Sequence, residues 1–165
     1  MKTIKKRRIK GKTDYKARLN LLKSGLPRVI VRKTDRYVIV QYAESKEAQD
    51  FVIVAASSKE LLENGWKKEQ EGSLKSLPAC YLTGLLLGKK IKSSEKKNKE
   101  VRAILDTGLA RNVKKGRIYA VLKGLVDSGI EIKHKKEVFP SEERIKGEHL
   151  KNKIDFEKIK NNILK

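Results

Sequence analysis

The side chains of this chain that could do chemistry are cationic. Lys5, Lys6, Arg7, Arg8, Lys10 and Lys12 crowd the N-terminus, with Lys2 ahead of them and no acid among residues 1–12. Arg28, Arg32, Lys33 and Arg36 follow within Leu26 to Gln41, which reads LPRVIVRKTDRYVIVQ and holds one acid, Asp35. Ammonium and guanidinium groups at this density form charge-assisted hydrogen bonds to an anion, and arginine grips phosphate in a bidentate fork.

Bond-breaking chemistry finds no such foothold. His134 and His149 are fifteen residues apart and Cys80 is the one cysteine, so no zinc spacing exists. Neither GxxxxGK[ST] nor GxGxxG nor GxSxG occurs. Asp106 follows a predicted strand, where a metal-dependent nuclease could place a carboxylate. A two-metal site needs several carboxylates converging, and nothing in the pattern brings Asp35 or Asp127 to it. A lone aspartate after a strand more often caps a turn. The expectation is a binding protein without enzymatic activity, metal or cofactor.

The composition names the anion. Lys and Arg number 41 against 20 Asp and Glu, a formal charge of +21 over 165 residues. Such an excess opposes compaction, and a polyanion relieves it. Nucleic acid comes first, an anionic membrane surface second and acidic proteins third. No apolar run approaches the ~20 residues of a membrane span. The basic N-terminus lacks the apolar stretch of a secretory signal. With a single cysteine there is no internal disulfide, and a reducing, cytosolic setting is expected.

Elements must position these cations. The runs Val29-Ile30-Val31 and Tyr37-Val38-Ile39-Val40 around a polar break predict a β-hairpin. Side chains alternate along a strand, so Val29 and Val31 share the core face while Arg28, Ile30 and Arg32 share the other. Before it, Thr13 to Gly25 predicts a short helix capped by Thr13 or Asp14, with an apolar stripe of Tyr15, Leu19 and Leu22. Arg18 and Lys23 lie off that stripe. After the hairpin come a polar loop from Ala43 to Asp50, a third strand from Phe51 to Ala55, and a capping box from Ser57 to Glu60. Residues 67–75 predict a charged loop. Pro78 to Ile91 predicts a helix that is apolar all round and therefore buried, with Gly84 and Gly88 at a spacing that suits close helix packing. Lys92 to Glu100 is a polar linker, Val101 to Leu105 a fourth strand, Lys114 to Ser128 an amphipathic helix, and Ile130 to Ile132 a last short strand. Ser141 should cap another short helix, and Lys151 to Lys165 carries a weaker amphipathic one. The fold class is α/β: a mixed sheet containing a three-strand antiparallel meander, with helices packed on it. The expected organisation is a basic arm over residues 1–12, a domain over 13–140 and a helical extension over 141–165.

The order of these residues resembles a known family. Lys12-Thr-Asp-Tyr15, Arg18-Leu-Asn-Leu-Leu-Lys-Ser-Gly25, Pro27-Arg28 and Arg32-Lys33-Thr34 through Gln41 match it. So do Pro78-Ala-Cys-Tyr-Leu-Thr-Gly84, Ala103 to Leu109, Gly116 to Gly124 and Pro140 to His149. The family is the large-subunit ribosomal protein number eighteen in its archaeal/eukaryotic form, which binds 5S ribosomal RNA. The resemblance implies a translation-machinery fold of ribonuclease-H-like topology and no enzymatic activity. It implies a monomer within the ribosome, partnered by 5S rRNA, large-subunit rRNA and neighbouring proteins of the central protuberance. Carried onto matching positions, it adds Thr13, Tyr15, Arg18, Lys23, Thr34 and Gln41 to Arg7, Arg8, Lys12, Arg28, Arg32, Lys33 and Arg36 as RNA contacts, with Lys5, Lys6 and Lys10 completing the arm. Asp35, an acid beside phosphate, is left out. Two other readings of the charge are a metal-dependent nuclease of similar topology and a general nucleic-acid-compacting protein.

Overall fold

A computed structural model describes residues 5–47, 49–94, 101–150 and 152–164. Lys2 and the second part of the expected linker, residues 95–100, lie outside them.

Five strands form one sheet: β1 (Arg28–Lys33), β2 (Val38–Lys46), β3 (Gln49–Ser57), β4 (Arg102–Asp106) and β5 (Glu131–Ile132), in the spatial order β3-β2-β1-β4-β5. β1, β2 and β3 are the expected antiparallel meander, while β4 and β5 add in parallel to β1. The sheet is therefore mixed, as its alternating strand and helix patterns required. Among the described residues six α-helices accompany it: α1 (Lys6–Ile9), α2 (Tyr15–Leu22), α3 (Leu77–Ser94), α4 (Arg117–Asp127), α5 (Glu142–Lys146) and α6 (Phe156–Leu164).

Strand parity holds where it matters. Val29, Val31, Val38 and Val40 are buried in the core against α3, whose residues Pro78 to Gly88 are all buried. The capping box forms as read, with the Ser57 hydroxyl accepting from the Lys59 N–H and the Glu60 carboxylate from the Ser57 N–H. It opens a 3-10 turn over Ser58–Leu62 rather than an α-helix. Cys80 is buried, and desolvation pushes its thiol up to about 12, which leaves it a packing residue without thiolate reactivity. The C-terminal segment joins the same core through Ile145, Phe156, Ile159 and Ile163.

Four expectations change. The polar loop from Ala43 to Asp50 is mostly strand: β2 runs to Lys46 and β3 starts at Gln49. A bulge between Tyr42 and Ala43 breaks the alternation there, and backbone pairing continues regardless of side-chain polarity. The charged loop over 67–75 holds a 3-10 turn, Lys68–Ser73, and two core residues at its margins, Trp66 and Leu74. The stripe of α2 is not a core stripe: no residue of that helix is buried, and Leu19 is exposed. Finally, Ser141 occupies the N-cap position of α5 without a side-chain capping bond.

Candidate nucleic-acid interface

The arm, α2 and the non-core face of β1 and β4 enclose an open cleft of about 870 Å³. Arg7, Lys12, Thr13, Arg18, Arg28, Arg32 and Lys33 line it, seven of the sixteen residues anticipated from sequence. Several local bonds shape its rim. Asp14 caps α2, its carboxylate accepting from the Lys16 and Ala17 N–H groups at 3.0 Å each. Thr13 is thereby free to accept from Arg7 Nε at 3.0 Å, which ties the arm to the start of α2. Lys5 sits over the Tyr15 ring, 4.5 Å from its centroid. The arm is more ordered than its composition suggested, since Lys6–Ile9 makes one helical turn.

Across the cleft floor runs a chain of alternating charge. Arg18 Nη2 donates to Asp50 Oδ2 at 2.7 Å; Arg28 Nη2 donates to Asp50 Oδ1 at 2.5 Å; Arg28 Nη1 donates to Asp106 Oδ2 at 3.0 Å; Arg32 Nη2 donates to Asp106 Oδ1 at 3.0 Å. Ser45 donates to Asp50, and the Gly108 N–H to Asp106 at 2.8 Å. Three arginines thus share two aspartates. The centre of the chain is sealed: the Arg28 side chain is 3% exposed, whereas Arg18 and Arg32 keep 38% and 44%.

This arrangement changes the part Arg28 plays. Parity put it correctly on the non-core face with Arg32, but that face does not open to solvent at Arg28, because α2, Asp50 and Asp106 close over it. Its first anions are intramolecular. Asp106 is held by two guanidinium groups and a backbone amide, so its carboxylate is committed to the arginines. Among the described residues no group of three or more His, Cys, Asp or Glu could hold a metal ion.

The remaining anticipated residues ring the cleft or stand apart from it. Lys5, Lys6, Arg8, Lys10 and Lys23 are exposed. Arg36 is exposed at the β1–β2 turn, where the Thr34 hydroxyl is already engaged, accepting from the Tyr37 N–H at 2.9 Å. Gln41 pairs opposite Ile30 on the same sheet face as Arg28 and Arg32, and is half-buried. Sequence reasoning missed Asp50 and Asp106 as organisers, because each partners an arginine far along the chain.

The chain of charge predicts an acid response. Burial alone would raise the Asp50 carboxyl, but the Ser45 hydroxyl and the Arg28 and Arg18 guanidinium groups outweigh it and hold it below its ordinary value. A carboxyl lowered in the folded state stabilises at pH above its unfolded value, and that contribution is lost as pH falls through the lowered folded value. Asp50→Asn should therefore melt below the unmutated chain at neutral pH, with the gap closing in acid. A gap that persists with Asp50 protonated would mean the ion pairs are not its source.

Comparison with known proteins gives a consistent match. A family profile for ribosomal large subunit proteins 60S L5 and 50S L18 matches residues 1–100 and 89–135. The chain is 48% identical over 145 residues to large ribosomal subunit protein uL18 of Korarchaeum cryptofilum, covering 88% of this chain and 70% of that protein. It is 46% identical over 147 residues to uL18 of Methanococcus maripaludis, covering 89% and 72%. With uL18 of Methanoculleus marisnigri it shares 45% identity over 145 residues, covering 88% and 78%. On the mixed sheet, the arm and this extent of identity, the chain belongs to the uL18 family of large ribosomal subunit proteins.

Proposed function

We propose that the chain, a structural constituent of the large ribosomal subunit in the cytoplasm, binds 5S rRNA and attaches it to the large-subunit rRNA of the central protuberance, beside neighbouring ribosomal proteins. One observation carries the reading. Cations of the arm (Arg7 and Lys12), of α2 (Arg18) and of β1 (Arg28, Arg32 and Lys33) line one cleft, where they outnumber its acids, Asp14, Asp50 and Asp106, by six to three. The rim therefore meets an RNA backbone with an excess of positive charge, led by the exposed Arg7, Lys12 and Lys33.

The cations divide the work. Those of the arm release counterions from the phosphate backbone and supply long-range, sequence-independent attraction. Arg32, fixed by its bonds to the Asp106 carboxylate and carbonyl, offers the exposed part of its guanidinium in one orientation and so sets register. Aromatic platforms are few near the rim, which favours recognition of a structured RNA by shape and backbone over stacking of single strands.

The direct test is binding of purified 5S rRNA against an unrelated structured RNA of similar size at physiological salt. A stoichiometric complex with clear preference for 5S rRNA is expected; equal affinity for both, or for duplex DNA, would overturn the assignment in favour of general compaction. Cleavage of the RNA on adding Mg²⁺ would point to a nuclease instead. Two variants refine the contact map. Removing residues 1–12 should flatten the dependence of affinity on salt, because the slope tracks the phosphates neutralised. Arg32→Ala should weaken binding by about 1.5–3 kcal/mol, the range for hydrogen bonds to charged groups. Wild-type affinity in that variant would remove β1 from the interface.

A further inference from the structure

The parallel strands carry a second consequence. β1, β4 and β5 run in the same direction, so the segments that follow them emerge at one end of the sheet. β1 ends at Lys33, and the turn after it holds Arg36. After β4 comes a loop that holds four cations and no acid between residues 107 and 117: Arg111, Lys114, Lys115 and Arg117. After β5 comes Lys133-His134-Lys135-Lys136, again without an acid. Every one of these lysines and arginines is exposed. The Lys115 N–H donates to the Val138 carbonyl at 2.8 Å, which binds the second segment to the third. Packing of the His134 ring on Phe139, centroids 4.7 Å apart, steadies the third.

We infer that this end of the sheet is a second RNA-binding strip, in which Arg111, Lys114, Lys115, Arg117, Lys133, Lys135 and Lys136 take the phosphodiester backbone of a structured RNA. It rests on the RNA-binding reading above but uses none of the residues assigned there. Thr107 to Ala110 and Asn112 line the cleft on one side of the sheet, with Arg111 between them in the chain, and Arg117 begins α4 on the core side. The strip therefore continues the cleft rim around the sheet end and onto its opposite side. A protein that attaches one RNA to another needs cationic surface in two directions, and the three parallel strands provide it by delivering their following segments together. Among the described residues these seven exposed side chains form no ion pair with an acid.

The test neutralises the strip in the full chain: Arg111→Gln, Lys114→Gln, Arg117→Gln, Lys133→Gln, Lys135→Gln and Lys136→Gln together. Lys115 is left in place, because its backbone has φ 59° and its N–H bond holds the segment. Binding is measured across salt concentrations to three probes: 5S rRNA, a large-subunit rRNA fragment of the central protuberance, and a synthetic RNA duplex. The expected result is a loss of about tenfold or more, with a salt slope shallower by about 2–3, on at least one ribosomal RNA. Loss on 5S rRNA alone makes the strip an extension of the first site; loss on the large-subunit fragment alone makes it the second attachment. Unchanged affinity and slope on all three probes would overturn the strip. If the unmutated chain shows no preference for 5S rRNA over the duplex, the 5S assignment falls. The strip then still stands or falls by the variant's slope on the duplex. Should the sixfold variant fold poorly, the three-lysine variant over 133–136, at exposed positions after β5 and up to the first residue of the 3-10 turn Lys136–Val138, is read in the same way with a slope change of about 1–2.

Discussion

Arg28→Ala is expected to cost the fold about 3 kcal/mol, and to do so whether or not RNA is present. Arg28 joins two carboxylates that the chain brings from β3 and from the end of β4. Truncating one member of a buried ion pair typically costs 3–5 kcal/mol, because the partner charge stays behind without compensation. The lower end applies here, since Asp106 keeps Arg32 and Asp50 keeps Arg18. For a chain of this size that corresponds to a fall in melting temperature of about 6–12 °C. Arg28→Lys should recover only part of the loss, because one ammonium cannot span both carboxylates as the guanidinium fork does. Urea unfolding is the measurement: the midpoint should drop with the slope unchanged. An Arg28→Ala chain that melts normally but loses RNA affinity would restore Arg28 to the contact surface and refute its role as the centre of the charge chain.

That outcome bears on what a sequence can disclose. The hairpin, the capping box and the buried helix α3 were all legible because each is specified within a few residues, by alternation, by an i to i+3 side-chain bond, or by apolar residues on every face. Parity correctly placed Arg28 beside Arg32. What it could not supply is what covers that face, because the partners of Arg28 lie 22 and 78 residues away and meet it only after β3 and β4 have paired. The exposed stripe of α2 has the same origin: Tyr15, Leu19 and Leu22 are spaced for a core, but α2 rests on the charged face of the sheet, where no core lies. The misread loop from Ala43 to Asp50 differs in kind. Glu44, Ser45 and Lys46 look like loop residues, yet the hairpin is held by backbone bonds that are indifferent to them. The basic end of the sheet was likewise present as composition, but its three segments are adjacent only because β1, β4 and β5 are parallel.

Gly84→Ala and Gly124→Ala should each destabilise the chain by about 3 kcal/mol, against the sign that helix propensity gives. Alanine is the better helix former by about 1 kcal/mol, so an exposed glycine in either helix would gain from the change. Here α3 and α4 cross in backbone contact. A Cβ on Gly84 would lie 2.2 Å from the Val121 carbonyl oxygen, and one on Gly124 would lie 2.2 Å from the Tyr81 carbonyl oxygen. Neither obstacle is the flexible end of a side chain, so the helices themselves must separate. Overpacking of this kind costs about 1–3 kcal/mol, occasionally more. Separation also loosens the buried Leu85, Val121 and Leu125 between the helices. Gly72→Ala supplies the control, since nothing lies within 4 Å of a Cβ there and its effect should stay within about 0.5 kcal/mol. The first two variants should fall in melting temperature by about 6–12 °C, and their double combination by less than the sum, because a pair of helices already forced apart accommodates the second methyl. Full additivity in the double variant would show that the two glycines do not share one crossing. Either single variant melting at or above the unmutated chain would show that the crossing yields at little cost.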